Sequence, residues 1–494
     1  MKAKQGTTMT HATSTEQLRA SRYQPYPKYK DSGVEWLGEM PEGWYSSKLK
    51  YYCYITDGSH YSPKISNEGK YYISVSDVKC NFIDFDNAKK ILVEDYSNLE
   101  KEGCKPENGD ILLTKDGTIG RACIVYENMP DFVVLSSLGI IRSLSIFNKL
   151  YLYYYLISSH NVQQMYSLIH GSALKRMTIS KIKELINLLP PLKEQTQIAN
   201  FLDHETQKID TLISKQEQLI ALLQEKRQAL ISHAVTKGLD PNAKMKDSGV
   251  AWLGEIPEGW KISKLKYYCY ITDGSHYSPK TCDQGEYYIS VSDVKINTID
   301  FNNAKKISNQ DYNNLEKDGC KPKNGDILLT KDGTIGRACI VNNAMPNFVI
   351  LSSLGIIRSQ SVFNKLYLYF YLISQHNVQQ MFSMIHGSAL KRMTISKIKE
   401  LTNLLPPLNE QTQIADYLDT QTAKIDTLID KAKQAIDLLQ ERRTALISAA
   451  VTGKIDLRNW QAPAVSNVQA AQPTTHDVKD KALSTISEPM EVCA

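Results

Sequence analysis

The residues whose types and spacing suit chemistry gather in three short segments. Lys115-Asp116-Gly117-Thr118-Ile119-Gly120-Arg121 follows the apolar run Ile111 to Leu113 and precedes another, Ala122 to Val125. That order predicts strand, tight turn, strand. The glycines let backbone N–H groups approach a phosphate, and Lys115 and Arg121 add positive charge. Thr56-Asp57-Gly58-Ser59-His60-Tyr61-Ser62-Pro63-Lys64 is a polar loop with turn residues at both ends. Thr56, Asp57, Ser59, His60 and Lys64 can donate and accept toward base edges. In the third segment a turn at Gly171 and Ser172 leads to the adjacent bases Lys175 and Arg176, which suit phosphate contact. Each segment also has a plain alternative: a hairpin or loop whose charges are simply solvated.

Other chemistries fit less well. No Gly-x-Gly-x-x-Gly opens a dinucleotide site, and no Gly-x4-Gly-Lys-Ser/Thr opens a nucleotide triphosphate site. Asp110, Lys115 and Asp116 are the nearest approach to an Mg²⁺-dependent nuclease centre. The Pro130-Asp131 start of such a motif becomes Pro346-Asn347 where the sequence repeats, which weakens that reading. His60, His160 and His170, with His276, His376 and His386, lack metal-ligand spacing to another His, Cys or acid.

These segments recur because the chain is written twice. Lys30-Asp31-Ser32-Gly33-Val34 returns as Lys246-Asp247-Ser248-Gly249-Val250, and the offset of 216 then holds to Val235 and Val451. Between Ser46 and Pro191 about four residues in five are identical to the second copy. The three segments therefore reappear as Thr272, Asp273, Ser275, His276 and Lys280; as Lys331, Asp332, Gly333, Thr334 and Arg337; and as Gly387, Ser388, Lys391 and Arg392.

Each copy begins with a tryptophan pair, Trp36 and Trp44 or Trp252 and Trp260. A Tyr-rich stretch follows, up to Pro190-Pro191 or Pro406-Pro407. Tyr51-Tyr52 and Tyr71-Tyr72 alternate with apolar positions and are expected to pack in the core and on sheet faces. A long helical pattern comes next. Ile198, Leu212 and Leu219 fall on one heptad position; Leu202, Ile209, Leu223 and Leu230 fall on the facing one. Ile414, Leu418, Ile425, Leu428, Leu439 and Leu446 repeat the stripe. Such a stripe predicts a coiled-coil seam. The prolines disfavour helix before it, and Gly238 or Gly453 stops it. At about 1.5 Å per residue each helix is roughly 60 Å long. Two matching helices pack most simply about a twofold axis, antiparallel, with a globular domain at either end.

Composition bounds the class. The chain has 494 residues, 22% charged and 42% hydrophobic, with a net charge of +5. It can bury real cores, and any nucleic-acid surface must be a local patch. By count, residues 46–191 carry 17 Lys and Arg against 15 Asp and Glu, whereas 262–407 carry 17 against 11. The second copy should therefore lean harder on phosphate contacts. No stretch of about 18 apolar residues predicts a membrane span. The nine cysteines form no Cys-x-x-Cys pair, and residues 1–21 do not resemble an export signal. Reduced thiols and a cytoplasmic location are expected.

Three motifs, taken together, carry a family resemblance. Gly109-Asp110-Ile111-Leu112-Leu113-Thr114 with the Lys115–Arg121 turn resembles a segment of the target recognition domains of type I restriction–modification specificity subunits. Trp36-Leu37-Gly38-Glu39-Met40-Pro41-Glu42-Gly43-Trp44 is similar to that family's start. Pro190-Pro191-Leu192-Lys193-Glu194-Gln195 is similar to its spacer-helix start. All three recur in order, covering roughly residues 26–458. The resemblance implies an α+β chain: two tandem α/β target recognition domains joined by two long antiparallel coiled-coil spacer helices, with an internal pseudo-twofold. The expected divisions are a flexible lead (1–25), recognition domain 1 (26–191), spacer helix 1 (192–240), recognition domain 2 (241–407), spacer helix 2 (408–458) and a flexible tail (459–494).

The family also implies double-stranded DNA as partner, each domain reading half of a bipartite site. Two modification subunits would bring S-adenosylmethionine and methylate adenine. Two restriction subunits, using ATP and Mg²⁺, would translocate and cut. No cofactor is expected in this chain, and no catalysis: the Asn/Asp-Pro-Pro-aromatic loop of an adenine methyltransferase is missing, since Leu flanks both Pro-Pro pairs on each side. Because the copies are nearly identical, the target is expected to be an interrupted inverted repeat. The alternative is a stand-alone DNA-binding protein or scaffold without enzyme partners.

Overall fold

The computed structural model describes residues 23–169, 175–385 and 391–462. The apolar run Ile111–Thr114 forms a strand with every residue buried. Ile111 and Leu113 point into one hydrophobic cluster and Leu112 into another. A strand covered on both faces reads as a continuous apolar run and not as an alternation. It is central in a four-stranded antiparallel sheet ordered Cys53–Asp57, Leu138–Ser143, Ile111–Thr114, Ala122–Ile124. A second four-stranded sheet contains one parallel pair, Phe132–Val134 beside Lys70–Ile73. The second copy repeats both sheets at the 216-residue offset.

The Tyr-rich stretch mixes these strands with short helices, and its densest run of tyrosines is helical. Lys149–Ile157 is started by Asn148, whose side chain accepts from the N–H groups of Leu150 and Tyr151. Tyr151, Tyr153, Tyr154 and Tyr155 are all buried there. Of the tyrosine pairs, Tyr72 is buried and Tyr52 and Tyr71 are half-buried, but Tyr51 is 62% exposed. It ends a 3-10 turn, Leu49–Tyr51, rather than a strand, and Lys50 lies over its ring.

The long helices run Leu192–Lys237 and Leu408–Val451. They stop short of 240 and 458, where Gly238 and Gly453 take positive φ values of 79° and 72°. Leu202, Ile209, Ile414, Leu418, Ile425 and Leu446 are buried as the heptads predict. Leu212, Leu219 and Leu428 are exposed instead. The covered line through the first helix runs along Ile209, Ile213, Gln216, Ile220, Leu223, Arg227 and Leu230. That line alternates steps of three and four, and Leu212 and Leu219 each sit one residue off it.

The chain divides into two compact units, Met1–Thr211 with Leu439–Ala494, and Leu212–Leu438. This differs from a serial order of domain and helix. Each unit holds one copy of the two-sheet domain, the start of one long helix and the end of the other. In the first unit Ile198, Phe201 and Leu202 share a core with Leu446, Ala450 and Val451. In the second, Ile414 and Leu418 share one with Ile231, Ala234 and Val235. One ion pair ties the helices within each unit: Arg443 Nε to Asp210 Oδ1 at 3.1 Å, and Arg227 Nε to Asp426 Oδ1 at 2.9 Å. No helix among the described residues is long and apolar enough to cross a membrane.

Candidate nucleic-acid interface

Strands Cys53–Asp57 and Ile111–Thr114 flank Leu138–Ser143 on either side. Both end at the same edge of the sheet, so the loops that follow them meet. Gly58 is needed there: a Cβ would stand 2.0 Å from the Val134 carbonyl oxygen. The turn after Thr114 uses Gly117 and Gly120, with φ of 69° and 90°. The third segment joins them through the backbone. Gly117 N donates to Lys175 O at 3.1 Å, and Met177 N to Lys115 O at 2.8 Å. All three segments of the sequence reading thus form one cluster, and the second copy repeats it. Gly171, Ser172, Gly387 and Ser388 lie outside the described residues.

Within the cluster the charges are unequally available. Lys115 is buried, with its ammonium 3.3 Å from Asp57 Oδ2; Lys331 stands 3.4 Å from Asp273 Oδ2. These two lysines therefore do not present the free charge expected of them. They neutralise Asp57 and Asp273 and pin the two loops together. Ser59 and Ser275 are also buried, and each hydroxyl closes its own turn, onto Tyr61 and Tyr277. His60 and His276 remain exposed, each 3.3 Å from the same aspartate. Thr56 and Thr272 are half-buried; Lys64, Lys280, Gly117, Thr118, Gly333 and Thr334 are exposed.

Arg176 is 60% exposed and grips Asp116 through Nε at 3.0 Å and Nη2 at 2.8 Å; this hydrogen-bonded carboxylate holds the guanidinium pKa above its ordinary value. Arg392 makes the corresponding pair with Asp332 at 3.2 Å. Exposed pairs of this kind open at little cost, so both guanidinium groups can turn to a phosphate. Lys175 lies over the Tyr166 ring and Lys391 over Phe382, each at 5.1 Å. Arg121 donates to the Val78 carbonyl at 3.3 Å, whereas Arg337 is exposed.

Asp110 and Asp116 do not converge; the strand Ile111–Thr114 separates them. Asp110 is buried and accepts two hydrogen bonds from Arg142, both at 2.8 Å, and one from Glu107 N at 2.7 Å. Its role is to hold that corner of the sheet. The sequence reading missed this pair. Its signal was an acid before a central strand and an arginine, Arg142, inside the neighbouring apolar one.

A mixed α/β domain with a polar loop cluster at one sheet edge is thus written twice, each copy leading into a long helix. The model of the type I restriction modification DNA specificity domain matches this chain twice, at residues 41–221 and 257–438. The chain belongs to that family, and its role is DNA sequence recognition within a type I restriction–modification system. The type I restriction enzyme MjaVIII specificity subunit of Methanocaldococcus jannaschii is 25% identical over 358 residues, covering 71% of this chain and 80% of the relative. The EcoKI specificity subunit of Escherichia coli K12 is 22% identical over 445 residues, covering 86% and 92%. A chain from a solved structure of a type I R-M system superposes with a TM-score of 0.62 at 16% identity, covering 84% of this chain and 99% of that one.

Proposed function

We propose that the two recognition domains read the same half-site on opposite strands, so that the target is an interrupted inverted repeat. The observation that carries this is the duplicated loop cluster. Asp57, Lys115, Asp116 and Arg176 recur 216 residues on with the same partners at nearly the same distances. Two equal readers suit a target with its own twofold. The long helices, running antiparallel as the Arg443–Asp210 and Arg227–Asp426 pairs favour, set the half-site separation. The chain is non-catalytic. It docks two modification subunits, which hold S-adenosylmethionine and methylate adenine, and two restriction subunits, which use ATP and Mg²⁺. Methylome sequencing of cells expressing the chain with its modification subunit tests this. An inverted repeat is the expected motif; an asymmetric one overturns the shared half-site, and no new methylation overturns the docking.

A further inference from the structure

The charge difference between the two recognition domains has a single location. Around an open pocket of about 830 Å³ in the second unit stand Thr272, Lys321, Lys323, Asn343, Asn347 and Arg358. Glu316 is the one acid of the lining, and it pairs with Lys321 at 2.7 Å. At the equivalent positions the first copy has Glu107 for Lys323, Glu127 for Asn343 and Asp131 for Asn347. Three cations against one carboxylate in the second copy thus answer two cations against four carboxylates in the first. These three exchanges account for the whole difference in net charge between 46–191 and 262–407. The other charged exchanges cancel, including Lys70 to Glu286, which lies outside the lining.

The local pairing changes with them. In the first unit Arg142 is held by two acids, Asp110 and Glu107, the latter at 2.9 Å from Nη1. Asp131 in turn takes Lys70 at 2.8 Å and Lys105 at 3.6 Å. In the second unit Arg358 keeps only Asp326, through Nε and Nη2. Lys323 has no ion pair among the described residues. The Nη1 edge of the Arg358 guanidinium and the Lys323 ammonium are thus left without an ion pair among the described residues of the lining, beside Asn343 and Asn347, whose amides can donate. Fork-shaped and point cations with amide donors are the chemistry of a phosphate site. The exposed Tyr270 ring, 5.7 Å from Arg358, forms part of the wall.

The position favours DNA as the source of that phosphate. Thr272, which lines the pocket, lies in the strand Cys269–Asp273 that leads directly into the candidate DNA loop. We propose that the second unit binds an additional DNA backbone phosphate in this pocket, through Lys323 and Arg358, and that the first unit cannot. This rests on the DNA-recognition reading above. The two otherwise equal readers then grip their half-sites unequally: the same bases, with an extra electrostatic anchor on one side.

The test is the salt dependence of DNA affinity, measured for the full chain in complex with its modification subunits. The probes are a duplex bearing the methylome motif and an unrelated duplex of equal length. Losing one phosphate contact flattens the slope of log affinity against log salt by about 0.9. Lys323→Gln should lose about 3.5-fold less affinity than wild type between 50 and 200 mM salt, on both duplexes. Glu107→Lys should steepen the slope. Because Lys323 has no ion pair to lose, equal melting temperatures serve as the folding control. Parallel slopes for wild type and Lys323→Gln overturn the proposal. So does an unchanged DNA slope with weakened binding of the modification subunit by Lys323→Glu, which would assign the pocket to a protein carboxylate. Failure of the wild type to prefer the motif duplex would instead sink the recognition reading, while the slopes still report on the pocket.

Discussion

Glu194 and Glu410 open the two long helices at equivalent positions, yet their surroundings differ. Glu194 is buried and accepts from the Tyr26 hydroxyl and from Trp44 Nε1 at 3.1 Å. Burial and this carboxylate hold the Tyr26 pKa far above the ordinary range. Glu410 is only half-buried, and Trp260 Nε1 has no hydrogen-bond partner among the described residues. The cause lies outside the repeat. In the first unit two separate stretches meet over this spot: residues 23–29 and residues 453–460. Asp456 N donates to Gln24 O at 2.7 Å, and Tyr29 Oη to Gly453 O at 3.0 Å. In the second unit one continuous linker, running on from Gly238, takes both places. A single chain cannot supply both Tyr26 and Leu457; at the equivalent positions it has Asn242 and Pro241. Duplication copies residues faithfully and copies their neighbours only where the neighbours are duplicated too.

That contrast can be broken in four places. Leu457 is buried in the first core, whereas Pro241 is exposed. Leu457→Ala should destabilise the first unit by about 3 kcal/mol, against nearly nothing for Pro241→Ala. Hydrogen exchange resolved by unit distinguishes the two, and equal losses would refute the asymmetry. Glu194→Ala strands two buried donors and should cost about 2 kcal/mol; Glu410→Ala should cost well under half of that. The same exchange experiment reads both.

Asp110→Ala leaves Glu107 to hold Arg142, but Asp326→Ala leaves Arg358 with no acid. The second change should therefore be the worse by about 1 kcal/mol, by denaturant unfolding. The smallest effect is on acid stability. Lys70 beside Asp131 holds that carboxyl below its ordinary pKa, with Lys105 adding to it. A lowered folded-state pKa stabilises above the ordinary carboxylate range, and this is lost as pH falls through the folded value. Asn347 has no such proton to take up. Asp131→Asn should thus remove a small acid-labile increment from the first unit, and a melting curve unchanged in shape from pH 5 to pH 2 would exclude it.

Much of the candidate interface was legible beforehand. The turn at Lys115–Arg121 reads from apolar runs broken by glycines, and the helix starts follow each Pro-Pro pair. Burial of Lys115 was not legible, because a lysine after a strand looks the same whether it faces water or an aspartate at the end of another strand 58 residues earlier. Nor was the helix seam. Leu212 and Leu219 satisfy a seven-residue spacing as well as Ile213 and Ile220 do, and only packing selects between the two lines.

The sequence by itself determined the duplication, the element types, the three segments that gather at one sheet edge, and the charge difference between the copies. These follow from local spacing and composition, which are properties of the chain. Tertiary structure alone decided which acid holds which base, that each compact unit borrows the end of the other copy's helix, and that the charge difference collects around one pocket. Those outcomes depend on contacts between residues far apart in the chain, where distance in space, and not position in sequence, sets the energy.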